Sequence, residues 1–528
     1  MKLTDITSGN YNAAEWKAKG YELPKFDIAA VRQKTYENPT WLHFGGGNIF
    51  RAFPAAVLND LLNKGLYDRG VIVATTHNYS VIDKVYTPYD NLSLLVSLRA
   101  DGTVEKKVVA SVTEALKADE QFSDWSRLIE IFSNPSLQMV SFTITEKGYA
   151  VNDDDLHRGM HPQLAMGKVC VLLYVRFLAC ELPVTLQSMD NCSHNGDVVK
   201  SAVMKYANQW LSEGIVGKEF IDYLNDETKV TFPWSMIDKI TPRPHEKVKE
   251  LLAADGFEDN NYIETEKHTF TAPFVNAEEV QYLVIEDHYT NGRPPLHLGG
   301  ALYTTRETVD KVETMKVTTC LNPLHTAMSI YGCMLDYTLI SAEMQDEDLR
   351  AFIQKIGYME AMPVVTDPGV LNPYEFIGDV LNKRLPNPFM PDAPQRIAMD
   401  TSQKLPIRFG ETIKKYVARG LDMKNLILIP LTLAGYARYL KGLKDDLTPF
   451  EPSPDPMLQE LQQIVAPLEV GKQEQDYSCL KQLYSRKDVF GLDLYEAGLG
   501  EQIESMVKEL FAGKGAVRQT LHKYVVAR

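Results

Sequence analysis

The chain has 528 residues, too many for one ordinary core, which predicts two large domains or three; 45% hydrophobic and 24% charged residues are typical of a folded soluble protein. The formal net charge of -15 and the lack of an extended block of lysines and arginines argue against binding to nucleic acid or to an anionic membrane. The six cysteines include no C-x-x-C pair, which predicts reduced thiols rather than a disulfide scaffold or a structural zinc site. The first thirty residues lack the apolar core of a signal peptide, so we expect a cytoplasmic protein.

The first informative stretch is "WLHFGGGNIFRAF", residues 41–53, in which a short apolar strand leads into three glycines. Such a turn can bring backbone N–H groups to a pyrophosphate at a helix N-terminus, or it can merely supply positive φ angles. The next segment, "RAFPAAVLNDLLNKGL", has helical spacing, and "GVIVATT" is a short buried strand. A βαβ unit of this kind favours the dinucleotide site.

The end of the second strand bears on the choice of cofactor. In many NAD-binding folds an acidic residue there accepts hydrogen bonds from the adenine ribose. Here no carboxylate occurs before Asp83, and Lys84 is the nearest cation that could meet the 2′-phosphate of NADP. The residues therefore leave NAD and NADP open.

Further strands follow, and then the pattern changes. The segments "LSLLVSL", "TVEKKVVASV", "QMVSFTITEKGYA" and "ELPVTLQSMDNCSHNG" are predicted strands, the last two with polar residues at their carboxyl ends. From Arg306 onward the periods are helical, after a Pro- and Gly-rich connection. This predicts an α/β domain over residues 1–305 and a mainly α-helical domain over residues 306–528. His157 and His161 are four apart in a polar segment, and we predict no metal site there.

The segment "MKVTTCLNPLHTAM" contains a candidate constellation. Asn322 and His325 are three residues apart and share one face of a helix. Lys316 lies six residues before Asn322, about 240° away on an ideal helix, so it joins that face only if the helix start is distorted or still a loop. Pro323 favours a helix start at this point. An ordinary amphipathic helix with a solvated lysine and a core histidine is the alternative.

Seven ordered motifs carry a resemblance that runs from Trp41 to at least Phe409. They are "HFGGGNIFRAF", "SFTITEKGY", "SMDNCSHNG", "FPWSMIDKITP", "VIEDHYTNGRPPL", "LNPLHTA" and "PNPFMPDAPQRIAMDTSQKLP". Together they resemble the polyol-specific long-chain dehydrogenase/reductase family. The resemblance implies a Rossmann-type N-terminal domain, a mainly helical C-terminal domain, and metal-independent hydride transfer between NAD(P) and a sugar or polyol in the cleft between them.

The resemblance also implies which residues bind the cofactor. The family's G-x-G-x-F-x-R-A pattern is matched by Gly45, Gly47 and Arg51, with Ile49 in place of the phenylalanine. Arg51 would add charge at the phosphates or close the turn. The expected cofactor is NAD, with NADP possible. The implied cofactor-binding residues are Gly45, Gly46, Gly47, Asn48, Ile49, Arg51, Glu146 and Lys147.

For the catalytic group the family pattern is K-x4-N-x2-H. Asn322 and His325 match it, but Lys316 stands one residue too far upstream, and Val317 occupies the expected position. Lys316 is implied as the acid/base, with Asn191 as the second amide. The implied substrate-binding residues are Asp238, Arg396 and Lys404. Asp238 could also bond a turn, and the two cations suit a uronate carboxylate although they also occur in enzymes for uncharged polyols.

The expected activity is the interconversion of fructuronate and D-mannonate. Mannitol 2-dehydrogenation and tagaturonate reduction are the alternatives, and an inactive cofactor-binding relative is the non-enzymatic one, favoured only by the displaced lysine. The expected partner is a small sugar acid or polyol. The sequence leaves the exact sugar and the oligomeric state open.

Overall fold

The computed structural model describes residues 1–472 and 474–528. Its contacts divide the chain into two compact units, Met1–Arg99 with Thr103–Asp310 and Ala100–Gly102 with Lys311–Arg528. The strands are β1 (Tyr21–Glu22), β2 (Trp41–Phe44), β3 (Val71–Thr75), β4 (Ser93–Leu98), β5 (Val104–Val109), β6 (Val112–Lys117), β7 (Met139–Phe142), β8 (Val184–Ser188), β9 (Val230–Thr231), β10 (Ser235–Asp238), β11 (Ile263–Glu264), β12 (Phe270–Thr271), β13 (Phe274–Glu278), β14 (Tyr282–Glu286) and β15 (Leu302–Thr304).

The α-helices are distributed along the whole chain. They are α1 (Leu3–Ser8), α2 (Ala13–Ala18), α3 (Ile28–Glu37), α4 (Asn48–Ala52), α5 (Pro54–Asn63), α6 (Asp124–Ser133), α7 (Thr145–Gly148), α8 (Asp153–Leu156), α9 (Ala165–Cys180), α10 (Asn195–Ser212), α11 (Lys218–Asn225), α12 (Glu246–Ala254), α13 (Arg306–Met315), α14 (Asn322–Met334), α15 (Ile340–Glu343), α16 (Glu347–Lys355), α17 (Pro373–Asp379), α18 (Pro394–Ile397), α19 (Thr401–Leu405), α20 (Glu411–Ala418), α21 (Leu428–Tyr439), α22 (Leu458–Val465), α23 (Cys479–Tyr484), α24 (Lys487–Phe490), α25 (Gly500–Leu510) and α26 (Ala516–Ala527).

The first unit is built on a six-stranded parallel sheet. Its strands lie in the order β6-β3-β2-β7-β8-β9, and every neighbouring pair is parallel. Numbered along the chain this is 3-2-1-4-5-6, the order of a doubly wound dinucleotide-binding sheet. The strand order reverses between β2 and β7, so the carboxyl ends of these two strands are where such a sheet binds its ligand. The Rossmann-type prediction is confirmed.

Both faces of this sheet are buried, which explains why its strands are continuous apolar runs. Leu42 and Phe44 of β2 pack in the core cluster that includes residues of α6, α9 and α10. Trp41 packs in a second cluster with residues of α4 and α5. Because side chains alternate across a strand, the one apolar run of β2 supplies both cores.

The helix predicted after the glycines is interrupted at Phe53. The structure has two helices there, α4 and α5, and Phe53 between them has φ -129° and ψ -77°. Pro54 is the first residue of α5, where its missing N–H costs nothing, and it disfavours helical backbone at the preceding residue. The prediction of one continuous helix was therefore wrong at this residue.

Two predicted strands lie outside the parallel sheet. β4 and β5 pair antiparallel and belong to a separate sheet with the order β1-β5-β4-β13. A three-stranded sheet, β10-β14-β15, carries the segment that ends at Asp238. Alternation along the sequence predicts a strand but does not identify its partner, so this division was not foreseen.

The second unit is helical, and π-helical turns interrupt its longer helices. The π-helices of this unit are Lys316–Cys320, Ile356–Ala361, Val380–Arg384 and Pro406–Gly410. Each lies within a segment for which the periodicity predicts a plain α-helix. Such turns are rare and occur frequently at functional sites. In the described part of the chain no helix combines the length and the apolar character that crossing a membrane requires.

His43, in the middle of β2, predicts a specific loss of stability in acid. Its ring nitrogens lie 2.6 Å from Ser141 Oγ and 2.8 Å from Thr143 Oγ1, and burial lowers its pKa to about 3. The unfolded imidazole binds a proton below its ordinary pKa of about 6.5, whereas the folded one stays neutral. His43 therefore contributes stability that is present above pH 6.5 and is lost as the pH falls toward 3.

We expect the free energy of unfolding to fall by up to about 1.4 kcal/mol per pH unit below pH 6 on account of this group. His43→Gln retains hydrogen-bonding groups but does not titrate, so its stability should depend less steeply on pH. Urea denaturation of both proteins at pH 7, 6 and 5 measures the difference, these pH values spanning the fall from about 6.5. Equal slopes for the two proteins would contradict this assignment.

Candidate active site

The glycine turn follows β2 at the reversal of strand order. Gly45 has φ +112°, its N–H donates to the Ala74 carbonyl oxygen at 2.9 Å, and a Cβ here would overlap the Thr143 carbonyl oxygen. A Cβ on Gly46 would lie 3.0 Å from the Tyr86 ring, whose hydroxyl donates to the Gly46 carbonyl oxygen. The turn is thus packed between neighbouring segments of the sheet, and Gly45 in particular cannot carry a side chain.

Gly47 differs from its two neighbours. Its φ is -80°, which any residue adopts, and a Cβ built on it would meet no atom within 4 Å. The residue is the N-cap of α4, where the first backbone N–H groups of the helix lack intrahelical partners. Open space above a bare backbone at this place fits the pyrophosphate of a dinucleotide. Asn48 and Ile49 are the first two residues of that helix.

Arg51 is buried and is bound by the protein itself. Its Nη1 donates to the Ala272 carbonyl oxygen at 2.8 Å, and its Nη2 donates to Thr271 Oγ1 at 2.8 Å and to Asn48 Oδ1 at 2.9 Å. Burial lowers the pKa of the guanidinium. The sequence left two roles open for Arg51, adding charge at the phosphates or closing the turn. These contacts serve the second role, because they fix Asn48 at the start of α4.

The segment that follows β3 carries the residues considered for cofactor choice. β3 ends at Thr75, and the Asp83 carboxylate pairs with Lys117 at 2.7 Å. Lys84 Nζ donates to the Glu264 carbonyl oxygen at 3.1 Å. Asp83 and Lys84, the nearest charged residues after β3, are therefore both bound to other parts of the first unit.

The loop after β7 carries Glu146 and Lys147 on the exposed helix α7. It is anchored by Asp190, one of the polar residues predicted at the carboxyl end of β8, for which the sequence gives no specific role. The Asp190 carboxylate accepts hydrogen bonds from the backbone N–H groups of Ile144 at 2.8 Å and Thr145 at 3.0 Å. The Tyr149 hydroxyl donates to it at 2.6 Å, and burial raises its pKa. Its place directly after a buried strand was the available signal.

Asn191 and Asp238 lie on two segments that are joined by Asn195, another member of the polar cluster predicted after β8. Asn191 is exposed in the loop between β8 and α10, and Asp238 ends β10. At the end of this loop, the first residue of α10 is buried Asn195, whose Nδ2 donates to the Ser235 carbonyl oxygen at 3.0 Å; the Ser235 N–H donates to Asn195 Oδ1 at 2.9 Å. These bonds tie the Asn191 loop to the start of the Asp238 strand.

The displaced lysine lies in a π-helical turn. Lys316 begins the π-helix, is 4% exposed, and its carbonyl oxygen accepts from the Leu321 N–H at 3.1 Å, five residues on. In a straight α-helix the nine residues from Lys316 to His325 would turn through about 900°, leaving the side chains on opposite faces. If the wider π-helical turn takes up one residue, the remaining eight turn through about 800°. The Lys316 and His325 side chains then lie about 80° apart around the helix axis. The extra residue is thus absorbed without moving the lysine to the far face.

Asn322 and His325 lie in the first turn of α14, with Pro323 between them, as predicted. Burial lowers the pKa of His325 to about 4; the Asp392 carboxylate opposes this shift, and three guanidiniums add to it. The imidazole is therefore neutral at pH 7. Its Nε2 is buried, lies 4.0 Å from Asp392 Oδ2, and has no hydrogen-bond partner within residues 1–472 and 474–528.

The two predicted substrate cations are both held by neighbouring groups. Arg396, exposed on α18, donates to the Asp392 carboxylate. Lys404 Nζ donates to the Ile397 carbonyl oxygen at 3.0 Å and also to that of Met399, and burial lowers its pKa. The structure brings Arg396 and His325 together around Asp392.

Arg408, another cation near His325, was not predicted from the sequence. Arg408 lies in the π-helix Pro406–Gly410, and its Nη1 donates to the hydroxyl of buried Thr326, the residue after His325. Desolvation lowers its pKa to about 10. The available signal was an arginine between Ile407 and Phe409, within a segment whose periodicity predicts only a helix.

The two histidines of the polar segment hold different carboxylates. His157 Nδ1 lies 2.7 Å from Glu213 Oε1, and His161 Nδ1 lies 2.7 Å from Glu120 Oε2. Among the described side chains, no group of three or more His, Cys, Asp or Glu is placed to hold a metal ion.

Comparison with known proteins covers both parts of the chain. Residues 39–298 match the mannitol dehydrogenase Rossmann domain, and residues 308–511 match the mannitol dehydrogenase C-terminal domain. D-mannonate oxidoreductase of Thermotoga maritima is 51% identical over 526 residues, 97% of each chain. Mannitol 2-dehydrogenase of Cereibacter sphaeroides is 29% identical over 456 residues, 83% of this chain and 87% of its own.

Among solved structures, the mannitol 2-dehydrogenase of Pseudomonas fluorescens, in a ternary complex with NAD and D-mannitol, aligns with a TM-score of 0.68 and 23% identity. The alignment covers 98% of this chain and 99% of that one, which establishes the shared fold. Two domain models and a full-length relative at half identity agree with the motifs and with the strand order. The chain therefore belongs to the mannitol dehydrogenase family.

Proposed function

We propose that the protein is an NAD-dependent oxidoreductase that interconverts D-mannonate and fructuronate. The observation that carries this proposal is the 51% identity, over 97% of both chains, with the D-mannonate oxidoreductase of Thermotoga maritima. The cationic side chains around His325 support an acidic substrate over a neutral polyol, because a carboxylate gains most from guanidinium and ammonium groups in a partly desolvated site.

The glycine turn is the proposed cofactor site. Gly45 and Gly46 pack the turn against the sheet, Gly47 leaves room for the pyrophosphate, and Arg51 holds Asn48 at the start of α4. Glu146 and Lys147 contribute from the loop after β7. NAD is preferred because the related mannitol 2-dehydrogenase is seen with NAD; NADP stays the alternative, since β3 ends without a carboxylate.

The remaining site residues act on the substrate. Bound nicotinamide supplies the acceptor or donor of hydride. Lys316 Nζ takes the hydroxyl proton during oxidation and returns it during reduction. The amides of Asn322 and Asn191 donate hydrogen bonds to the alkoxide-like oxygen, where fixed donors stabilise the developing charge. Neutral His325 uses Nε2 to orient a neighbouring hydroxyl.

Asp238, Arg396 and Lys404 are proposed to hold the rest of the substrate. Arg396 keeps its bond to Asp392, and Lys404 keeps its bonds to backbone oxygens. The two side chains therefore hold these segments in place and also supply positive charge to the site. The non-catalytic alternative loses its one supporting feature, because the π-helical turn accommodates the displaced Lys316.

Two further assignments go with this function. We propose that residues 1–305 form the dinucleotide-binding domain and residues 306–528 the substrate domain. We also propose that the protein works in the cytoplasm, since its six cysteines are free thiols, as a reducing compartment favours.

A spectrophotometric assay of nicotinamide oxidation tests the proposal. Purified protein is supplied with NADH or NADPH and with fructuronate, tagaturonate or fructose in separate reactions. We expect turnover with fructuronate and NADH, and a background rate from Lys316→Met protein. Turnover of fructose alone would establish the mannitol 2-dehydrogenase alternative. Turnover of tagaturonate alone would establish tagaturonate reduction.

A further inference from the structure

We propose that Arg408 binds the substrate carboxylate and thereby sets the preference for a sugar acid over a neutral polyol. This inference rests on the proposed function and adds to it the residue that recognises the acid group. Arg408 belongs to none of the motifs that identify the family here. Its position is fixed by a π-helical turn and by a hydrogen bond to Thr326, one residue from His325.

Arg408 is a guanidinium without a carboxylate partner. Arg396 is paired with Asp392, and Lys404 donates to two backbone carbonyl oxygens. Within residues 1–472 and 474–528, no Asp or Glu oxygen lies within 4.0 Å of the Arg408 guanidinium, whose one hydrogen bond is to the Thr326 hydroxyl. A guanidinium withdrawn from water without a counter-ion is unfavourable, and an anionic ligand removes that cost.

The geometry of the guanidinium suits a carboxylate. Thr326 takes a hydrogen of Nη1 and leaves the other donors of the planar group available, and arginine binds carboxylates through two parallel hydrogen bonds. Thr326 itself is fully buried in α14, so it holds the guanidinium in one orientation. A lysine at this position would supply charge but not the paired donors.

A second group, His325 beside Thr326 in α14, lacks a hydrogen-bond partner in the described part of the chain. His325 Nε2 is buried and unbonded in the described part of the chain, and the ring is neutral at pH 7. A sugar acid carries hydroxyls for His325 and a carboxylate for Arg408, so it satisfies both groups. A hexitol satisfies the imidazole but leaves the guanidinium with hydroxyl groups only.

The test compares Arg408→Met and Arg408→Lys with the wild-type protein on D-mannonate and on D-mannitol, each with NAD. We expect Arg408→Met to raise KM for mannonate by about 100-fold, as removal of one partner of a desolvated charge pair does. KM for mannitol should change by less than about threefold, since no charge is recognised there. If mannitol turns over too slowly, its inhibition constant against mannonate replaces KM. The KM of Arg408→Lys for mannonate should lie between those of the wild-type protein and Arg408→Met.

Arg419→Met is the control, because Arg419 is an exposed arginine of the same unit that donates to the Pro363 carbonyl oxygen. NADH affinity and the melting temperature of each variant report on folding, and Arg408→Lys keeps the test valid if the methionine variant is unstable. An unchanged KM for mannonate, or an equal rise for both substrates, would overturn the role of Arg408 alone. A wild-type protein inactive on mannonate would overturn the proposed function.

Discussion

Replacing Lys316 by methionine should lower kcat by about 10²- to 10⁴-fold, the contribution that a positioned acid/base group makes. Methionine is similar in length and apolar, so it fits the buried start of the π-helix where Lys316 is 4% exposed. Because Lys316 is assigned to proton transfer, the dissociation constant of NADH should stay near its wild-type value. Steady-state kinetics with fructuronate and fluorescence titration with NADH measure the two quantities.

Lys311→Met is the matched control for this prediction. Lys311 lies five residues upstream in α13 and is the nearest other lysine before Asn322. It should retain wild-type kcat, because the same π-helical turn lies between Lys311 and His325 and leaves their side chains about 140° apart around the helix axis, more than three turns from each other. Equal loss in both variants, or full activity of Lys316→Met, would contradict the assignment of the acid/base.

Alanine at Gly45 and alanine at Gly47 should both impair NADH binding, but only alanine at Gly45 should destabilise the fold. Gly45→Ala forces a Cβ onto the Thr143 carbonyl oxygen at φ +112°, so we expect a destabilisation of at least about 2–3 kcal/mol and loss of NADH binding. Gly47→Ala places its methyl group in open space at an ordinary φ, so the fold should keep its stability. The methyl group would nevertheless occupy the proposed pyrophosphate site and weaken NADH binding by about tenfold or more.

Urea denaturation and NADH titration of the two variants separate packing from ligand binding. A Gly47→Ala protein that binds NADH as well as the wild type would show that the open space is not the pyrophosphate site. A stable Gly45→Ala protein would show that β2 and β7 can move apart at this turn, against the packing described here.

The parallel sheet was predictable because it depends on local signals. Buried apolar runs such as 41–44 and 71–75, separated by a glycine turn and a helical period, indicate a βαβ unit before any tertiary contact is known. The Asn322–His325 pair was predictable for the same reason, because three residues on a helix have a fixed geometry. Long-range pairing was not: β4 and β5 alternate like any strands, and nothing local places them in a separate sheet.

The π-helical turns could not be predicted from the sequence, for a different reason. Periodicity at 3.6 residues is averaged over a segment, so one extra residue between Lys316 and Asn322 appears only as a spacing defect. The roles of Asp190, Asn195 and Arg408 were not predicted, because each role depends on which groups the side chain contacts. An acid bonding two backbone N–H groups, or an arginine bonding one threonine, has no sequence pattern of its own.

The most direct test of the central claim is the ratio of kcat/KM for D-mannonate to kcat/KM for D-mannitol, measured with NAD on one preparation of the protein. The claim that this member of the mannitol dehydrogenase family acts on a sugar acid predicts a ratio of about 100 or more, the discrimination that a site built for a charged group achieves. A ratio below one would contradict it and would identify a polyol dehydrogenase.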